Sequence, residues 1–143
     1  MMDARGYALI ARIVSMGSAS LLQYVNDSVP YVAAKSAPAL QKIQAIANEE
    51  RERIANFLRL LQKQHLRRPA LGAYPSHFTT INFVSIDYLI PRLITEHERE
   101  VAELQAWLQG FDDEAIRFLA VGYLDLKTAH LKTLKELVNP ASA

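Results

Sequence analysis

Glu50, His97 and His130 stand where apolar residues belong. Ile43, Ala47, Glu50, Ile54, Phe57 and Leu61 follow one another in steps of four and three, which places them on one face of a helix. His97 interrupts Phe83, Ile86, Ile90, Leu93, Val101, Leu104 and Leu108 in the same way. His130 interrupts Ile116, Leu119, Tyr123, Leu126, Leu134 and Leu137. A carboxylate in a buried stripe is costly unless it is paired, hydrogen-bonded or bound to metal. Three polar breaks in three apolar stripes predict a polar layer inside a helix bundle, with Tyr123 placed to hydrogen-bond it. The plainer reading pairs Glu50 with Arg53 at i,i+3 and turns it toward the bundle edge. It also makes the two histidines satisfied core residues, Glu96 to Glu100 a solvated face with one inward residue, and Gly17 a close helix–helix contact.

Four helices are needed to position this layer. The first is expected over about 3–24, with the stripe Ile10, Val14, Gly17, Leu21, Tyr24, and one further turn is possible between Tyr31 and Ala34. The second is expected over about 37–65, with Ser36 as N-cap and Pro38 in the first turn. The third spans about 77–109 and ends at Gly110. Pro91 either kinks it or marks a start near Asp87. The fourth spans about 112–138, capped by Asp112 or Asp113 and ended by Asn139-Pro140. Phe78 to Val84 is the one β-like run, and a strand there would have no partner.

Connection lengths set the topology. The short Gly110–Asp112 turn makes helices three and four antiparallel. A second helix of about 28 residues is roughly 42 Å long. The connection 66–76, extended, reaches roughly 36–40 Å, so helices two and three are free to run parallel. The fold class is all-α, one domain over 1–143.

Composition removes several function classes. Sixteen Lys plus Arg against fifteen Asp plus Glu give a net charge of +1, and no basic stretch carries interleaved aromatics, so no nucleic-acid partner is expected. The absence of cysteine removes disulfides, thiolate metal sites and cysteine nucleophiles and favours the cytoplasm. No unbroken apolar run reaches the roughly 20 residues that span a bilayer, and the N-terminus lacks the form of a signal peptide, so no membrane association is expected. No phosphate-binding loop and no catalytic residue stands out.

Hairpin, long crossover and hairpin is the ferritin-like arrangement. Glu49-Glu50-Arg51-Glu52-Arg53 resembles the ferritin second-helix motif E-E-R-E-H with its last His replaced by Arg. Lys127-x-x-His130 resembles the Glu-x-x-His of the fourth helix with Lys in place of Glu. His97-x-x-Glu100 lies on the third helix with Glu96 as neighbour, and Gly17 stands where the first helix should give a Glu. The resemblance implies a ferritin-like four-helix bundle with a degenerate metal site, and a homodimer. Glu50, Glu100, His97 and His130, with Glu96 as an alternative, are the ligands it leaves for a single iron or manganese ion. Arg53 and Lys127 repel a cation and neutralise carboxylates, so the expectation is no cofactor and a structural or interaction role for an unknown protein partner. A metal-dependent oxidoreductase with a reduced site is the alternative. Arg53 is expected to separate the two: turned into the core it supports the metal-free bundle, and turned outward it leaves a single-metal site open.

Overall fold

The computed structural model describes residues 2–28, 32–71, 73–81 and 84–138. These residues form an all-α bundle of α1 (Ala4–Ser18), α2 (Leu21–Ser28), α3 (Ala37–Lys63), α4 (Ile86–Leu108) and α5 (Glu114–Val138). Short 3-10 turns cover Ala34–Ser36 and Ser76–Ile81.

The expected first helix is therefore two. Asp3 caps α1 by accepting from the Gly6 amide at 2.8 Å. The helix stops at Ala19, and Ser20 starts α2 by accepting from the Gln23 amide at 3.2 Å. This break changes which side chains face inward. Ser20 and Gln23 join Leu21, Leu22 and Val25 in the buried set. Taken together, Ala4–Ser28 is long and apolar enough to cross a bilayer, although no unbroken apolar run is; 56% of its most apolar window is buried inside the bundle.

The other boundaries have local causes. Ser36 precedes α3 without capping it; its hydroxyl donates to Asp87 in the first turn of α4, at 2.9 Å to each carboxylate oxygen. Helix α4 begins at Ile86, so the start near Asp87 is the alternative realised. Pro91 lies in the second turn, where it gives up one backbone bond without ending the helix. The β-like run coils into the 3-10 turn up to Ile81; Asn82 and Phe83 lie outside the described residues, as do Tyr31, Asn139 and Pro140. Gly110 takes a left-handed φ of 70° after α4, and Asp113 accepts from the Ile116 amide to start α5.

Two apolar clusters fix the bundle's polarity. One joins α1 (Leu9 to Val14), the end of α3 (Ile54, Phe57, Leu61), the end of α4 (Leu104, Leu108) and the start of α5 (Ile116, Ala120, Tyr123). The other joins α2, the start of α3 (Ile43, Ile46, Ala47), the start of α4 (Ile86 to Leu93) and Leu134 near the end of α5. The starts of α3 and α4 thus lie at the same end, and the described part of the connection passes from Arg67 beside Tyr7 to Tyr74 and Phe78 beside Tyr24. Helix α4 packs along α5, α1 and α2 along α3, and α3 along α5. Between the clusters, at mid-height, the buried residues turn polar.

Candidate functional site: a buried polar layer

The helical period carries Glu50 inward between Ala47 and Ile54 on α3, and none of its surface is exposed. Each carboxylate oxygen has two donors. Oε2 accepts from Lys127 Nζ at 2.5 Å and from the Tyr123 hydroxyl at 2.8 Å. Oε1 accepts from Gln23 Nε2 at 3.0 Å and from the Ser20 hydroxyl at 3.3 Å. A carboxylate offers about four lone-pair positions, so Glu50 is saturated.

Lys127 is the centre of the layer. It is fully buried on α5, one turn after Tyr123 and one before His130. Its ammonium group donates to Glu50 Oε2 at 2.5 Å and to His97 Nε2 at 3.1 Å, and forms an ion pair with Glu100 Oε1 at 3.4 Å. Because His97 Nε2 accepts from the ammonium, the ring carries its proton on Nδ1. That nitrogen lies 3.8 Å from Glu100 Oε1, too far for a hydrogen bond.

The charges settle accordingly. Burial works against the Glu50 carboxylate, but the charge and hydrogen bond of Lys127 hold it below the ordinary range. Burial also opposes the Lys127 ammonium, and Glu50 and Glu100 overcome this and raise it. His97 is pushed down to about 3 by burial and then by Lys127, so it is neutral. Glu100 is pushed up to about 7, chiefly by burial, with Lys127 acting against the shift. Burial, followed by the charge of Glu50, raises the Tyr123 phenol well above its ordinary value. His130 is lowered mainly by burial, and its Nε2 lies 3.4 Å from Glu49 Oε2 at the layer's edge.

The residues anticipated from the sequence divide into two groups. Glu50, His97 and Glu100 converge on Lys127, and His130 lies beside them with its ring centroid 6.5 Å from that of His97. Glu96 does not join them; it lies on the outer face of α4, paired with Arg99 at 2.9 Å. The run 96–100 therefore turns two residues inward, His97 and Glu100, with Glu100 in place of Val101. Arg53 is not the partner of Glu50. It lies half-buried in a surface cleft beside Gly122 of α5, the outward position that by itself leaves a single-metal site open, and Lys127 takes the role beside Glu50 instead. On α5 the buried stripe is Ile116, Ala120, Tyr123, Lys127, His130 and Leu134, displacing Leu119 and Leu126. Gly17 is a close contact: a Cβ there would come within 2.7 Å of both Ile54 Cδ1 and the Tyr123 oxygen.

Gln23 and Ser20 were missed. The signal was Ser20 one residue before Leu21-Leu22, an N-cap within an apolar run, which would have rotated the register to bring Gln23 inward. Among the described residues, four buried polar atoms have no hydrogen-bond partner: Gln23 Oε1, His97 Nδ1, Glu100 Oε2 and His130 Nδ1.

These residues do not fit a resident metal ion. Glu50 has no free lone pair, and Lys127 holds positive charge within 3.4 Å of both inward carboxylates. Among the described residues, no three His, Asp or Glu side chains are grouped to hold a cation. No family model, no curated protein and no solved structure matches the chain.

Proposed function

We propose that this is a ferritin-like four-helix bundle in which an internal ion pair replaces the metal centre. It acts as a metal-independent structural or interaction protein in the cytoplasm, as a homodimer, and not as an iron- or manganese-dependent oxidoreductase. The position of Lys127 carries this reading. Its ammonium sits among Glu50, Glu100 and His97, hydrogen-bonded to Glu50 and His97 and ion-paired with Glu100, and this is the set of residues the resemblance offers as ligands. Support for the bundle type comes from the shared end of the α3 and α4 starts and the long connection between the two helices. The oxidoreductase alternative needs an open coordination position. A saturated Glu50 and a fixed cation supply none.

Lys127→Glu tests this. The substitution restores a Glu-x-x-His pair on α5 and removes the cation. After incubation with ferrous iron or manganese and desalting, elemental mass spectrometry should find stoichiometric metal in Lys127→Glu and none in the wild type. Metal retained by the wild type and lost in Glu50→Ala would establish the oxidoreductase reading. A folded Lys127→Glu protein that binds no metal would remove the ferritin-like reading.

A further inference from the structure

Two rows of side chains run side by side on the outer face of α3 and α5. On α3, Arg53, Asn56, Leu60 and Lys63 follow in steps of three and four, so they share one side of the helix. On α5, Glu114, Phe118, Val121 and Asp125 do the same. Arg53, Asn56 and Leu60 line one surface cleft with Phe118, Val121 and Asp125, so the rows face outward together. The α3 row carries a cation at each end, and the α5 row an anion at each end. Arg53 is half-buried, and Lys63, Glu114 and Asp125 are exposed. Among the described residues, none of these four forms an ion pair. Between its ends each row is apolar, at Leu60 on α3 and at Phe118 and Val121 on α5, and Phe118 is 78% exposed.

The spacings of the rows match. About 15 Å of helix separates Arg53 from Lys63, and about 16 Å separates Glu114 from Asp125. The two helices run antiparallel, since the end of α3 and the start of α5 share one apolar cluster. Arg53 is level with Gly122, where its Nη1 lies 3.2 Å from the place a Cβ would take. Counted from that contact, Lys63 is level with about position 112, just before α5 begins. A two-fold axis normal to this face, passing between the helices, lays α3 of each copy over α5 of the other. For Arg53 to meet Glu114 of the second copy, the axis must cross midway between Gly122 and Glu114, which is at Phe118. For Lys63 to meet Asp125 of the second copy, it must cross midway between about position 112 and Asp125, which is again beside Phe118. One axis therefore satisfies both pairs, and it runs past an exposed aromatic ring. Each end of the contact gathers Arg53 and Asp125 of one copy with Glu114 and Lys63 of the other. What covers this face must offer a cation row and an anion row at the same spacing, and the face itself is such a surface.

Resting on the homodimer reading, we infer that two copies of this chain associate through the α3–α5 face about a two-fold axis at Phe118, with Arg53 of each copy on Glu114 of the other and Lys63 of each on Asp125 of the other.

The test exchanges charge between copies of the full chain. Arg53→Glu with Lys63→Glu makes both rows acidic, and Glu114→Lys with Asp125→Lys makes both basic. Neither double variant should pair with itself: each dimer dissociation constant should rise by roughly tenfold or more, because like charges then face each other across the contact. Mixed in equal amounts, with one labelled with nitrogen-15, the two should form a heterodimer of intermediate mass in native mass spectrometry, since each acidic row then meets a basic one. Circular dichroism checks that helicity is kept; should either double variant lose it, Lys63→Glu mixed with Asp125→Lys makes the same exchange at exposed positions. Variants that self-associate as tightly as a dimeric wild type, or a mixture that stays monomeric, would overturn this surface and leave the homodimer reading standing. A wild type that is monomeric at high concentration would overturn both.

Discussion

Lys127 and Glu50 are fully buried, and each makes the other tolerable. Lys127→Met leaves Glu50 charged and short of its strongest donor, and should destabilise the fold by about 3–5 kcal/mol in urea unfolding. Adding Glu50→Gln removes the stranded charge, so the double variant should recover most of that loss. If the two losses simply add, the pair is not the coupled unit described. Glu100 gives a pH prediction. With its carboxyl at about 7 in the folded chain against an ordinary 4.5, the folded protein keeps a proton that the unfolded chain releases. The associated stability is present at low pH and is lost as pH rises to 7. His97 works in the opposite direction, since its stability is lost as pH falls from 6.5 toward 3. It is common to wild type and variant and cancels between them. Glu100→Gln should therefore gain stability relative to wild type from pH 5 to pH 8, by at most about 3 kcal/mol. Parallel stability curves for the two proteins would mean that Glu100 is not held protonated. The sequence marked Glu50, His97 and His130 as polar breaks in apolar stripes. The apolar stripe alone did not turn Lys127 inward, because it ran through Leu126; only the match of Lys127-x-x-His130 to a Glu-x-x-His pair set Lys127 beside the carboxylates, and it did so for Arg53 as well.

Among the elements, the α1–α2 break and Gly17 determine how the first helical pair meets the rest. Gly17 lets α1 lie against Ile54 of α3 and the Tyr123 hydroxyl of α5. That hydroxyl is anchored on Glu50 at 2.8 Å and cannot easily yield. Gly17→Ala should therefore destabilise by about 1–2 kcal/mol, since overpacking of about 1–3 kcal/mol exceeds the gain of up to about 1 kcal/mol in helix propensity. A stabilised variant in thermal unfolding would show that the contact is loose. The helices themselves were readable. Period, the Gly110 stop and the Asp113 cap all act locally, and the sequence carries local signals. The Ser20 break was harder to read, because Ile10, Val14 and Leu21 suit one continuous helix as well as two. Ser36 likewise looked like a cap, but it bonds Asp87, a partner 51 residues away.

At the scale of the whole molecule, the homodimer proposed above needs a face. The α3–α5 side offers a cleft of about 420 Å³ holding Arg53, Phe57, Leu60, Val121, Gly122 and Asp125. Phe118, 78% exposed, and Leu119, 37% exposed, stand at this cleft. Exposed apolar side chains beside charges of both signs suit a self-complementary two-fold contact. Phe118→Glu should convert a dimer to monomers in sedimentation equilibrium without loss of helicity. A wild type that is already monomeric at high concentration would reject this interface. By itself, the sequence determined the helical class, the α3 stripe and the polar breaks at Glu50, His97 and His130, because periodicity and capping are set by residues within one or two turns. Tertiary structure alone decided that Lys127 and not Arg53 meets Glu50, that Glu96 stays outside, and that Gln23 and Ser20 complete the layer. Those outcomes depend on the rotation of each helix about its axis, which only packing against the other helices fixes.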